Sequence, residues 1–177
     1  AQSKEDWWYL DSAKRYSGTA TATITGLSHL EGKPVNILAD GAAQPAETVA
    51  SGQIVLDRSF TKVLAGLPYT STILPMKFDF ELRDGPTRGR KKRVNRVEVS
   101  LYKSLAGQAS TNGTEWLWVY PRDFSDPMDA SPPPFSGDAE VVLAGDYSED
   151  ADIYLRQNLP YPLTVRALVA KLDAFGD

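Results

Sequence analysis

Asp146, Ser148, Asp150 and Asp152 put an oxygen-bearing side chain at every second position of "GDYSEDADIYLRQ". Hard divalent cations take such oxygens, and the spacing is that of the opening ligands of a calcium loop. The pattern then departs from the loop. Ala151 stands where the sharp turn needs glycine, and Gln157 where a bidentate glutamate would close the shell. These four residues are a weak calcium candidate, and a solvated acidic turn before a strand is the preferred reading.

Other chemistry is sparse. The single histidine, His29, lies in "GLSHLEGK", a turn-like stretch, and no G-x-S-x-G elbow accompanies it. Without cysteine there is no thiol nucleophile, disulfide or zinc-thiolate site. No G-x-G-x-x-G or P-loop sequence offers a phosphate cradle. A pair of carboxylates distant in sequence, as in glycosidases, stays open but unspecific among 23 acidic residues. The residues point to no catalytic site and no cofactor, and to a protein that is not an enzyme.

The strongest charge feature is "RGRKKRVNRVEVSLYKS". Seven of the 19 basic residues fall between Arg83 and Arg96, in a chain of net charge −4. The segment therefore carries a local positive potential on an otherwise acidic protein. Arg88, Arg90, Lys91, Lys92, Arg93 and Arg96 are the candidate contact residues. They fit a phosphate backbone, an acidic surface on a neighbouring copy such as "SEDAD", or a solvated hairpin end that blunts a sheet edge. No aromatic residue is interleaved to stack on bases. On the loop reading, neutralising Arg90, Lys91, Lys92 and Arg93 leaves folding intact.

Aromatic side chains form the last candidate set. Trp7 and Trp8 lie in "EDWWYLDSAKRY", and Trp116 and Trp118 in "TEWLWVYP". Exposed, such rings make a protein contact or a sugar platform; buried, they plug a core.

The elements that must carry these groups are strands. "GTATATITG" alternates, "KPVNILADG" closes on Asp40-Gly41, and "ETVASGQIVLD" turns at Ser51-Gly52. "MKFDFELRDG" and "RVEVSLYK" alternate cleanly and read as an antiparallel pair joined by a long polar loop. "TEWLWVYP" reads as buried on both faces, and "SDPMDASPPPFSGD" as a proline-rich loop. "AEVVLAGD", "ADIYLRQ" and "PLTVRALVAKL" follow as strands, although the last also fits helical spacing. These patterns predict an all-β fold, an antiparallel β-sandwich of Greek-key or jelly-roll type. The alternative is a β-barrel with a short C-terminal helix. Residues 1–17 read as an aromatic segment linking to a longer chain, and 18–177 as a single sandwich. No run reaches the roughly 18–20 apolar residues of a membrane helix. The first residue is Ala1 and no signal peptide is visible, so the chain reads as processed or cut from a longer polypeptide.

"NILADG", "VASGQIVLD", "GLPYTSTI", the basic run and "PLTVRAL", in that order, resemble a domain near the C-terminal end of large virion proteins of tailed bacteriophages and prophages. Those proteins are compared with the tail or nozzle proteins of short-tailed phages. The resemblance spans roughly residues 7–170. It implies a non-enzymatic virion structural protein, assembled in the bacterial cytoplasm into a homo-oligomeric tail. Its partners would be other virion proteins and copies of itself, with a DNA contact through the basic loop as a further candidate. The rival is a carbohydrate- or receptor-binding β-sandwich module of a phage or bacterial surface protein.

Overall fold

The computed structural model describes residues 6–82, 85–119, 126 and 131–174. The fold is all-β and antiparallel, with no closed barrel. Where the sequence suggests one sandwich over 18–177, the chain divides into two compact units. The first comprises 1–70, 122–133 and 158–162; the second comprises 71–121, 134–157 and 163–177.

The first unit is a four-stranded sheet built from β1 (Asp11–Thr25), β2 (Pro34–Ala39), β3 (Ala42–Thr48) and β4 (Gln53–Leu67). Their order is β1-β4-β2-β3. β1 starts inside the segment expected to be a linker. Asp40 and Gly41 both take positive φ, 45° and 79°, at the tight β2–β3 turn foreseen from their sequence. The Asp40 carboxylate accepts hydrogen bonds from the Thr61 hydroxyl at 2.9 Å and the Lys62 amide at 2.8 Å, which ties the turn to β4. Glu31 does the same for the Ser51-Gly52 turn, accepting both amides at 2.8 and 2.7 Å. Ile24, Val35, Ile37, Ile54, Phe60 and Val63 are central to one buried cluster. Trp7 joins the interior, edge-on to Tyr161 at 6.3 Å, and the Tyr161 hydroxyl accepts the Ala43 amide at 2.6 Å.

The second unit holds β5 (Ser71–Ile73), β6 (Glu81–Leu82), β7 (Gly85–Pro86), β8 (Lys92–Ser104), β9 (Gln108–Ser110), β10 (Leu117–Trp118), β11 (Phe135–Val142), β12 (Tyr154–Gln157) and β13 (Val165–Ala174). A three-stranded sheet, β11-β8-β13, and a four-stranded sheet, β10-β9-β12-β5, share one core. Val97, Val99 and Leu101 of β8 share a buried cluster with Ala109 and Leu155 of the other sheet and with Ile153 just before β12, the sandwich arrangement. β6 and β7 form a separate two-residue pair.

Two local expectations change, and one choice between strand and helix is decided. Met76–Phe80 is not strand and does not pair with β8, because β11 and β13 occupy both of its edges. Phe78 still packs on the core, whereas Met76 is 93% exposed. Residues 165–174 are a strand, not a helix: their apolar alternation matches β8 in register, Leu168 opposite Val99 and Ala170 opposite Val97. Among its described residues, the "TEWLWVYP" segment contributes the two residues of β10, and Leu117 and Trp118 are both exposed.

Candidate assembly surface

The basic run leads directly into β8, so the three-stranded sheet decides what its charges do. Lys92 is 2% exposed. Its ammonium donates to the Thr87 carbonyl at 3.1 Å, and its backbone bridges Ser148 in both directions at 2.7 and 2.9 Å. A buried lysine with such partners is a clamp, not a contact residue. Arg93 donates to Asp173 of β13 at 3.2 Å and lies over the Tyr147 ring at 5.1 Å. Asn95 donates to the same carboxylate. The Asn95 hydrogen bond, then that from Arg93, hold the Asp173 carboxyl below its usual pKa. Arg96 donates to Glu140 of β11 at 2.7 Å.

The charges of β8 thus fasten its two neighbours: Arg93 holds β13 and Arg96 holds β11. Arg88 and Lys91 are exposed on the preceding turn, and Arg90 is half-buried. Arg83 lies outside the described residues. Neutralising the run should therefore cost stability, because Lys92 and Arg93 bond within the sheet itself.

β13 has one paired edge. No described strand pairs with its other side, and the five residues Ala167–Lys171 keep regular register between two bulges. On the outer face Val169 is 62% exposed beside Ala167 and Lys171. On the inner face Leu168, Ala170 and Leu172 are only half-buried, whereas Val97, Val99, Ala139 and Val141 on β8 and β11 are buried. The core is sealed along β11 and incompletely sealed along β13. An extended strand is the element that satisfies a row of edge amides and carbonyls.

Three of the four calcium candidates share a cleft, but they do not form an ion site. Asp150 pairs with Lys77, a hydrogen bond that raises the lysine pKa. The Ser148 hydroxyl accepts the Ala151 amide at 2.8 Å, and Asp152 accepts the Tyr154 hydroxyl at 3.4 Å. Asp146, Ser148 and Asp152 line a cleft of about 360 Å³ with Asn112 and Glu115. Among the described residues, no group of three metal-binding side chains is placed to hold an ion.

The aromatic pairs fall in different units. In the first, Trp7 is buried and Trp8 is 50% exposed, with the Arg15 guanidinium 5.3 Å from its ring. In the second, Arg156 stacks 3.8 Å from the Trp116 ring while donating to Gln108 at 2.8 Å, and Trp118 is exposed. Tyr120, next in the same stretch, lies outside the described residues.

The open side of β13 had no signal in the sequence beyond a strand that could equally be a helix. Edge position depends on which strands pair, and that is settled by contacts distant along the chain. Compared with known family models and with curated proteins, the chain matches none. Among the described residues, no helix is long and apolar enough to cross a membrane.

Proposed function

We propose that this chain is a non-enzymatic structural domain of a tailed-phage virion, acting through repeated subunit contacts in the tail. The resemblance of its ordered motifs supports the virion assignment. The observation that carries the contact is the unpaired edge of β13 above an incompletely sealed core. A strand from a neighbouring subunit would cover Leu168, Ala170 and Leu172 and extend the sheet. With Asp173 paired to Arg93 and Glu140 to Arg96, β13 keeps Lys171 and β11 keeps Asp138 on the outer face, so the two edges of the sheet differ in charge. Head-to-tail pairing of unlike edges generates rings when the rotation closes. Two of the six basic candidates are used for internal ion pairs and one is buried, which weakens DNA contact as the main role.

Paired proline substitutions test this. In an antiparallel edge strand, successive amides face alternately toward the partner strand and the open side. Of Val169→Pro and Ala170→Pro, one removes only an outward donor, which an edge strand tolerates. That variant should fold normally and lose concentration-dependent mass in light scattering. If the folded variant associates as the parent chain does, the β13 edge is not the contact.

A further inference from the structure

Two sequence features left unused by the assembly reading meet in one cleft of the first unit. Trp8, from the N-terminal aromatic segment, and Tyr69, from the "GLPYTS" corner, line it together with Leu10, Asp11 and Ser12. The cleft measures about 440 Å³, within the roughly 300–1,000 Å³ of small-molecule sites. Both rings are substantially exposed, Trp8 at 50% and Tyr69 at 43%, while Leu10 is buried at 4%. Two exposed rings lining one hollow form a contiguous apolar surface, the kind that offers a ligand large contact area.

The walls are held in place. Trp8 follows the buried Trp7, and Arg15 braces its ring. Arg15 is itself fixed by two hydrogen bonds to Asp6, at 3.3 Å to the carboxylate and 2.8 Å to the carbonyl. Asp11 and Ser12 sit at a register shift in β1, and Ser12 takes φ of 49°. His29 meets the Ser12 carbonyl at 2.9 Å. Below them Gly66 packs so closely that a Cβ there would lie 2.8 Å from the Asp11 carbonyl oxygen. The polar rim is therefore set by the backbone of two strands.

We infer that this cleft binds a neutral pyranose unit of an oligosaccharide. The ring C–H face of the sugar stacks on Trp8 and Tyr69, and its hydroxyls donate to the Asp11 carboxylate and exchange hydrogen bonds with Ser12. A cationic ligand fits less well. The Arg15 guanidinium already lies against the Trp8 ring and places a positive charge at that wall. Among the described residues, the cleft contains a single carboxylate to offset a second positive charge.

The test uses the full chain, isotopically labelled, with the Trp8 indole resonance assigned through Trp8→Phe. Maltose, cellobiose and N,N′-diacetylchitobiose are titrated separately, together with tetramethylammonium. At least one disaccharide should move the Trp8 indole with a millimolar dissociation constant, the range expected of an open two-ring site. Tyr69→Ala should weaken that binding at least tenfold and Asp11→Asn severalfold, with circular dichroism unchanged, while Trp118→Ala has no effect. Tyr69→Ala is the deciding variant, because it removes one wall of the cleft and keeps the reporting Trp8 indole. The inference is overturned if no disaccharide moves the resonance by about 50 mM, well above the millimolar range. It also fails if Tyr69→Ala binds unchanged, or if tetramethylammonium binds more tightly than every sugar.

Discussion

Gly66→Ala is the most demanding single change for the first unit. A methyl group at this position would lie 2.7 Å from the Ala13 Cβ, 2.8 Å from the Ala13 Cα and 2.8 Å from the Asp11 carbonyl oxygen. Two of those three atoms are backbone, so relief requires β1 and β4 to separate locally, not a side chain to turn. Overpacking of this kind costs about 1–3 kcal/mol, and backbone neighbours place the change in the upper part of that range. With a urea dependence of about 2 kcal/mol/M, a loss of ~2–3 kcal/mol lowers the midpoint by roughly 1–1.5 M. Gly32→Ala is the control: nothing lies within 4 Å of its added methyl, and only the φ of 70° opposes it. That strain amounts to about 1 kcal/mol. The assay is urea unfolding in a Trp116→Phe, Trp118→Phe background, where emission reports Trp7 and Trp8 of the first unit. Equal midpoints for Gly66→Ala and the parent, or a larger drop for Gly32→Ala, would refute the packing argument.

Lys92→Met should destabilise the second unit by about 1 kcal/mol, because the Thr87 carbonyl keeps the Arg90 amide but loses the buried ammonium donor. Lys91→Met, on an exposed neighbour, should change stability by no more than about 0.5 kcal/mol; equal effects in thermal melts would contradict the clamp. Asp173 has a lowered folded-state pKa, so its contribution is complete above the usual value of 3.8 and fades as pH falls through the folded value. The stability gap between the parent and Asp173→Asn should therefore be open near pH 6 and close in strong acid, as read by urea midpoints across pH. Lys77 has the opposite sign: its raised pKa makes the Asp150 pair a contribution present below 10.5 and lost as pH climbs through the folded value. Lys77→Met should consequently narrow its difference from the parent as pH rises into alkali.

Much of the architecture is legible where local chemistry decides it. Asp40-Gly41 specifies a tight turn because both residues tolerate positive φ, and the alternation in Val97, Val99 and Leu101 marks a strand with one buried face. Partner choice is not local. Phe78, Phe80 and Leu82 alternate as well as β8 does, yet they lose its edges to segments about 40 and 70 positions further on. The same holds for the basic run, whose charges are plain in sequence while Asp173 and Glu140 stand 80 and 44 residues away from their arginines. Trp8, Asp11 and Tyr69 share a cleft only because Asp11 lies opposite Leu67 in the β1–β4 register. No spacing rule connects residue 8 with residue 69.

The assembly account is tested most directly by amide hydrogen exchange along Val165–Ala174 at low and high protein concentration. The dilute chain should protect alternate amides, those bonded to β8, and exchange the intervening ones quickly. Concentration should then protect the intervening amides too, together with slower exchange at the matching edge of a neighbour. Contradiction would come from outward amides that stay fast while light scattering shows an oligomer, or from outward amides already protected in a monomer.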